Sequence, residues 1–301
     1  MSRTTAPAAT PFESNVSGVA ASRSPWRLMA RRFRRNKRAM VGLWMVAALI
    51  LLASTAQWIA PYDPYQQNME VMLEGPNLAH PFGTDEFGRD ILSRILYGTQ
   101  ISLMVGTVGV LISLVFGVFL GTVSGYFGGW LDSIIMRFID IFMAFPSFLL
   151  ALAIVSVLGP GMINVMIAIG IFSVPTFARI SRGAVIGIKN KEFVEAAKAM
   201  GGSHLLIIFK HIIPNSIAPV IVLSTLRIAT AILTAAGLSF LGMGAQPPTP
   251  EWGAMLSTGR GYLRVAPHVS TIPGLAIMFM VLAFNMLGDG LRDALDPKMK
   301  L

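Results

Sequence analysis

Residues 192–215 read EFVEAAKAMGGSHLLIIFKHIIPN, a polar, helix-forming stretch set between two apolar segments. Residues 190–200 are good helix formers, and helical periodicity places Phe193, Ala196, Ala197 and Met200 largely on one side. Gly201-Gly202 is expected to stop this helix, because glycine tolerates the left-handed geometry of a C-terminal cap. Ser203 can cap a second helix starting at His204. Pro214 is expected to end it, and Asn215 to cap the apolar segment that follows. The stretch thus predicts a short helical elbow lying across a membrane face. Small side chains at Ala196 and Ala197 permit a close fit into a partner's groove, and Glu195 offers a charge for a basic residue there. A solvated helix, with Glu195 near Lys191 and Lys198 and worth a few tenths of a kcal/mol, is the other reading. The loop alone does not choose between the two.

Composition explains why a membrane is invoked. Of 301 residues, 54% are hydrophobic and only 13% are charged, against about 25% charged in soluble domains. A soluble domain of this size could not hide so much apolar surface. A spanning helix needs about 20 apolar residues, and such runs lie near 39–60, 99–127, 133–158, 162–182, 215–243 and 269–290. The expected fold is therefore an all-α membrane protein with six transmembrane helices. Its parts are a basic amino-terminal segment (1–38), a first span (39–60), a polar loop (61–98), a core (99–290) and a short tail (291–301). The loop 244–268 contains Gln246-Pro247-Pro248-Thr249-Pro250, too proline-rich for a helix.

Residues 1–24 are rich in Ser, Ala, Thr and Pro and read as a disordered tail. A signal peptide is the competing reading of the basic and apolar segments that follow, with Ser54-Thr55-Ala56 as a cleavage site. The apolar run at 39–60 exceeds the usual core of about 7–15 residues, which favours a retained first helix.

Basic residues orient the chain. They crowd residues 23–38, recur as Arg179, Arg182, Lys189, Lys191, Lys198 and Lys210, and return as Arg292, Lys298 and Lys300. The two remaining loops hold only Arg89, Arg94, Arg260 and Arg264. The positive-inside rule puts both termini and the elbow in the cytoplasm, as an even number of spans requires. The net charge of +9 thus belongs to membrane flanks, and nucleic-acid binding is not indicated.

Gly109, Ser113, Gly117, Gly121 and Gly125 recur at every fourth position, forming one face that lets another helix approach closely. A glycine-lined substrate path is the alternative. Phe145-Pro146 and Pro175 should kink or locally break their helices.

Chemistry-bearing motifs are missing. There is no cysteine, no phosphate-cradling G-x4-G-K-[ST] loop, and neither H-E-x-x-H nor G-x-S-x-G. His80, His204, His211 and His268 are scattered and read as solvated loop or interface residues, not a metal site. An ion-coupled secondary transporter would carry acids inside its spans. Asp140, near a cytoplasmic end, is the only candidate.

Glu195, Ala196, Ala197 and Gly201, followed by His211 and Pro214, resemble the EAA loop of ABC importer membrane subunits, here at 188–214. The resemblance extends to dipeptide and oligopeptide permeases of the DppC/OppC type. It is carried by WRLMARRFRRNKRAMVGLWM from Trp26, GTDEFGRDILSRILYGTQISL at 83–103, MRFIDIFMAFPSFLLALAIVSVLGPG at 136–161, LSFLGMGAQPPTPEWG at 238–253 and VLAFNMLGDGLRDALDP at 281–297. It implies a type I importer permease of the MetI-like fold with cytoplasmic coupling helices, in a bacterial inner membrane. The implied partners are a second, homologous permease, two ATPase subunits that bind ATP and magnesium, and an extracytoplasmic solute-binding protein. This chain would be no enzyme and carry no cofactor. Dipeptides, oligopeptides, nickel chelates and glutathione all remain open as substrate.

The chain departs from the family's pattern in its fifth span, where a glutamate is expected shortly before LSFLG. Here the sequence is AILTAAGLSFLG, with Ala235 and Ala236 and no acid. Arg227 lies about halfway across the same span, where a charge costs at least about 2.5 kcal/mol. It either pairs with the partner subunit or backbone carbonyls, or lines the pore and attracts substrate carboxylates. Trp252, in the second outer loop, either contacts the solute-binding protein or plugs the pore mouth, or anchors the membrane boundary.

Overall fold

The computed structural model describes residues 25–295, with the side chains of 25–29 left aside. The expected disordered tail at 1–24, and Lys298 and Lys300, lie outside the described residues. Within them every long element is a helix, and the one extended pairing is an isolated bridge between Thr84 and Asp90.

A helix α1 (Pro25–Arg35) precedes α2 (Lys37–Ile59), the first span. Asn36 separates them: its side chain accepts from the backbone N–H of Arg38 (3.0 Å) and Ala39 (3.2 Å), starting α2 afresh. The next long helix, α3 (Ile91–Phe127), begins eight positions before the expected 99. Asp90 starts it there, accepting from the Ser93 backbone N–H at 2.7 Å. At 37 residues it is about 55 Å long, so it projects beyond an apolar layer of about 30 Å.

The expected third span is not one helix. Residues 133–158 divide between α4 (Gly129–Met143) and α5 (Ser147–Leu158), which meet at 89°. Pro146 offers no N–H and pushes Phe145 out of the helical region, so the chain turns there. The described residues thus hold five helices able to cross a membrane, or six if the bent pair counts as one. By contrast, α6 (Met162–Lys189) runs unbroken through Pro175. The elbow follows as α7 (Glu192–Ala199) and α8 (His204–Leu206), and α9 (Ile213–Phe240) is the fifth span. A short α10 (Trp252–Gly259) precedes the last span, α11 (His268–Leu295).

The tightest packing joins α3 to α6, and the small-residue face is its cause. A Cβ on Gly109 would fall 2.6 Å from Ile169 Cγ2, one on Gly121 2.8 Å from Ser181 Cβ, and one on Gly125 3.0 Å from Val185 Cβ. Ser113 is fully buried among them. Residue numbers rise together along the contact, so the two helices run in the same direction. This is close helix packing; the alternative of a glycine-lined path does not hold on this face. A second buried layer sets α9, α10 and α11 against α2 around Val46, Ile232, Trp252, Met280 and Phe284. Large apolar side chains such as Trp44, Leu51, Trp58, Phe119 and Phe138 lie exposed around the outside, as a hydrocarbon solvent permits. An apolar groove of about 610 Å³ separates α3, α4 and α6.

Gly121→Ala should lower the thermal unfolding midpoint, since overpacking costs about 1–3 kcal/mol. Gly183→Ala, with open space around it, should leave the midpoint unchanged or raise it through about 1 kcal/mol of helix propensity. Scanning fluorimetry of the two proteins checks this; equal behaviour would contradict the packing argument.

Candidate functional site

The elbow forms largely as its sequence dictates. Gly201 takes φ +80°, and the cap is a Schellman arrangement: Gly201 N–H donates to Lys198 O (2.9 Å) and Gly202 N–H to Ala197 O (3.0 Å). Ser203 Oγ accepts from the Leu206 N–H at 3.3 Å, starting α8 at His204. The expected stop at Pro214 is absent. Instead a π-helical turn, Ile207–Ile212, runs directly into α9. Pro214 lies in the first turn of α9, where a missing N–H is tolerated. Asn215 does not cap; it lies inside α9 and donates to His211 O at 2.6 Å.

Ala196 and Ala197 part company. Val194 and Ala197 turn inward and pack with Tyr126, Val185, Ile188, Ile207 and Ile212. Phe193, Ala196 and Met200 face out, together with Leu205 and Phe209. Adjacent helical residues point about 100° apart, and here the turn of α7 leaves Ala196 exposed while Ala197 is only 5% exposed against the bundle. This corrects the expectation that both small side chains meet a partner. Glu195 is exposed, and among the described residues it forms no ion pair with Lys191 or Lys198. His211 is half-buried, 6.4 Å from the Phe193 ring.

Contacts that spacing could not reveal fix the elbow to the bundle. Tyr126 OH at the end of α3 shares a 2.8 Å hydrogen bond with His204 Nδ1. Lys189 Nζ donates to Gly125 O at 2.9 Å. Arg182 on α6 grips Asp132 on α4 through Nε and Nη2, both at 2.6 Å, while Ser124 Oγ donates to the same carboxylate. Paired charge-assisted bonds of this kind are the strong ones.

At the opposite end Trp252 is 1% exposed. Its Nε1 donates to Ile95 O at 3.2 Å, and its ring lies against Gly98. Its ring is therefore no membrane-boundary anchor, which corrects that expectation, and any contact the loop 244–268 makes with a binding protein or a pore mouth would not be through this ring. The prolines at 247–250 end before α10, and Glu251 starts that helix by accepting from Ala254 N–H at 2.8 Å. A buried charge cluster binds the two loops at this end. Arg94 Nη1 donates to Pro64 O (2.9 Å) and Pro248 O (3.3 Å), and its Nε lies 3.5 Å from Asp85. Arg89 pairs with Asp85 (2.7 Å) and Glu86 (3.2 Å). His80 Nδ1 lies 3.0 Å from Asp90, and His268 Nε2 3.2 Å from Thr84 O. His80 and His268 are partly buried and bind loops together, so these two are not freely solvated, whereas His204 remains exposed beside Tyr126. Burial, aided by the neighbouring Asp85, pushes the Glu86 carboxyl above its ordinary range, and burial does the same to Glu251.

Arg227 on α9 is half-buried, and its Nη2 donates to Thr176 Oγ1 on α6 at 3.1 Å. Within its own chain its hydrogen-bond partner is thus a hydroxyl. Asp140, the carboxylate expected inside a span, is exposed and paired with Arg179 at 2.7 Å.

The fold defines a class. Two inward-facing crystal forms of the MetNI methionine ABC transporter match with TM-scores of 0.55 and 0.56, at 18% identity, covering 68% of this chain and 98% of the matched chain. Residues 113–301 match the binding-protein-dependent transport system inner membrane component family, and residues 24–79 match the N-terminal TM domain of oligopeptide transport permease C. The chain belongs to the family of binding-protein-dependent transport system inner membrane components. It is similar to a dipeptide transport system permease protein, DppC, of Alkalihalophilus pseudofirmus: 52% identical over 92% of this chain and 91% of that protein. It is also similar to a glutathione transport system permease protein, GsiD, of Escherichia coli: 51% identical over 92% of each. It is a multi-pass membrane permease component and not an enzyme.

Trp252→Ala should cost about 3–5 kcal/mol of stability and lower the unfolding midpoint before any ligand or partner is added, with Trp252→Phe milder. A Trp252→Ala protein of unchanged stability would contradict its structural role. Glu251 should make stability pH-dependent. A raised carboxyl pKa means that the folded state holds the proton more tightly. The stabilisation is full below the unfolded value of about 4.3 and is lost as pH rises through the folded value. The wild-type midpoint, measured relative to Glu251→Gln, should therefore fall as pH rises above the unfolded value of about 4.3.

Proposed function

We propose that this chain forms half of the translocation pathway of an ATP-driven importer of di- or oligopeptides. It would work with a second, homologous permease, two ATPase subunits that bind ATP and magnesium, and an extracytoplasmic solute-binding protein. The elbow's outward face carries the reading: Phe193, Glu195, Ala196 and Met200 stand free while the inward face is fixed to the bundle. Such a surface suits a groove on a cytoplasmic ATPase, with Glu195 meeting a basic side chain. The distribution of Lys and Arg supports both termini and the elbow on the cytoplasmic side of a bacterial inner membrane.

In this reading ATP closes the ATPase pair, the two elbows move with it, and the pathway opens outward to take substrate from the binding protein. Hydrolysis resets it. His211, Gly201 and Pro214 serve by shaping the elbow, and Arg227 draws substrate carboxylates into the path. The likeness to a dipeptide permease supports peptides, and the nearly equal likeness to a glutathione permease supports glutathione, itself a small peptide, as the second reading.

The test is ATPase activity of the assembled complex in lipid nanodiscs, with and without binding protein and a dipeptide. Stimulation by loaded binding protein is expected, and Glu195→Ala combined with Gly201→Asp should abolish it. Ala196→Trp should do the same without changing the unfolding midpoint, since its side chain points away from the core. Stimulation by glutathione alone would change the substrate and keep the mechanism. A complex without associated ATPase activity would end the proposal.

A further inference from the structure

The amino-terminal helix has a chemistry that the importer reading leaves unused. In PWRLMARRFRR the sequence spacing of Trp26, Met29, Ala30 and Phe33, at i, i+3, i+4 and i+7, predicts one apolar stripe, with the arginines and Leu28 on the other sides. A basic amphipathic helix of this composition lies in the plane of a membrane interface. The cations continue past the helix end. Arg31, Arg34, Arg35, Lys37 and Arg38 are all exposed, and among the described residues none of the five forms an ion pair.

Their position is fixed. Asn36 takes an extended conformation (φ −82°, ψ 105°) that separates α1 from α2. Its Nδ2 donates to Asp293 Oδ2 on α11 at 2.9 Å while its Oδ1 starts α2. Directly beyond, Ala39 is fully buried against Gly290 of α11, where an added Cβ would come within 2.6 Å of Ala39 Cα. The junction is thus fastened to the end of the last span. The apolar run of α2 starts at Ala39, so the cations stand within a turn or two of the hydrocarbon edge, at headgroup depth. The acids on the neighbouring stretch of α11 are Asp289 and Asp293, and Asp293 is taken by Asn36.

We propose that α1 and the first turn of α2 form a docking surface for anionic phospholipid headgroups, with Arg31, Arg34, Arg35, Lys37 and Arg38 as the phosphate-binding groups. Charge complementarity names the occupant, and the apolar stripe of α1 suits the acyl layer that begins within a turn or two of these cations, where α2 turns apolar. The cytoplasmic leaflet as the place of binding rests on the orientation proposed above. Binding itself does not.

The experiment uses the whole assembled complex in nanodiscs of phosphatidylcholine with increasing phosphatidylglycerol. Phosphatidylglycerol retained per complex after detergent washing is read by mass spectrometry. Each cation near an anionic surface contributes about five-fold, the equivalent of about 1 kcal/mol. Arg31→Gln with Arg34→Gln, which leaves the other flanking cations to hold topology, should weaken phosphatidylglycerol retention by roughly 25-fold. Arg31→Lys with Arg34→Lys should retain it. Equal retention by the glutamine pair and wild type would overturn the proposal, as would wild type retaining no more phosphatidylglycerol than phosphatidylcholine. Loss of the ATPase subunits from the glutamine pair in either lipid would overturn it in favour of an acidic protein surface. Binding-protein stimulation of the wild type, recorded in the same discs, tests the importer reading separately.

Discussion

Four glycines and one serine remove the side chains from one face of α3, and α6 occupies the space they leave. Between helices in a hydrocarbon layer there is no water to expel, so association depends on van der Waals contact and a few hydrogen bonds. Contact area grows steeply as backbones approach. The α3–α6 pair reaches that proximity along Gly109–Ile169, Gly121–Ser181 and Gly125–Val185. Because the helices are parallel and both long, the pair forms one stiff column. The elbow at one end and the paired outer loops at the other are both fastened to it.

The column's ends carry the polar work. At one end Ile95 and Gly98 of α3 seat Trp252, and Arg94 reaches both loops through Pro64 and Pro248. At the other, Tyr126 and Gly125 of α3 hold His204 and Lys189, while Arg182 of α6 holds Asp132. Charges buried in hydrocarbon are costly, and here the ion pairs cluster toward the helix ends. Arg227, midway along α9, is the exception, and its bond to Thr176 ties the fifth span to the column.

How far the sequence could be read follows from which rules are local. The Schellman cap at Gly201 and the Ser203 cap depend on residues within one turn, and both formed as expected. The small-residue face needed only a period of four. Pro146 broke its helix and Pro175 did not, although the same rule covers both. Phe145-Pro146 lies where α4 and α5 diverge, whereas Pro175 is buried within α6 at the edge of the apolar groove. Trp252 and the Arg94 cluster were illegible for a related reason. A tryptophan among prolines and a string of alternating charges look the same whether solvated or buried. Only the pairing of loops distant in sequence decides. His204 likewise acquires its role from Tyr126, distant in sequence and adjacent in space.

The ties that hold the elbow are unequal, and the inequality has a direction. Toward α3 and α6 the elbow is held by a side-chain hydrogen bond, a buried apolar cluster and the nearby Arg182–Asp132 fork. Toward α9 it continues through a π-helical turn, whose wider spacing is uncommon and recurs at functional sites. Pro214, just beyond, removes one further backbone donor. In the importer reading proposed above, a force on the outward face at Ala196 and Met200 would reach the column through the cluster that Ile207 and Ile212 share with Tyr126 and Val185, and α9 through the π-helical turn. Gly201, at positive φ, makes the turn between α7 and α8, and in that reading the same turn would carry the force from one to the other.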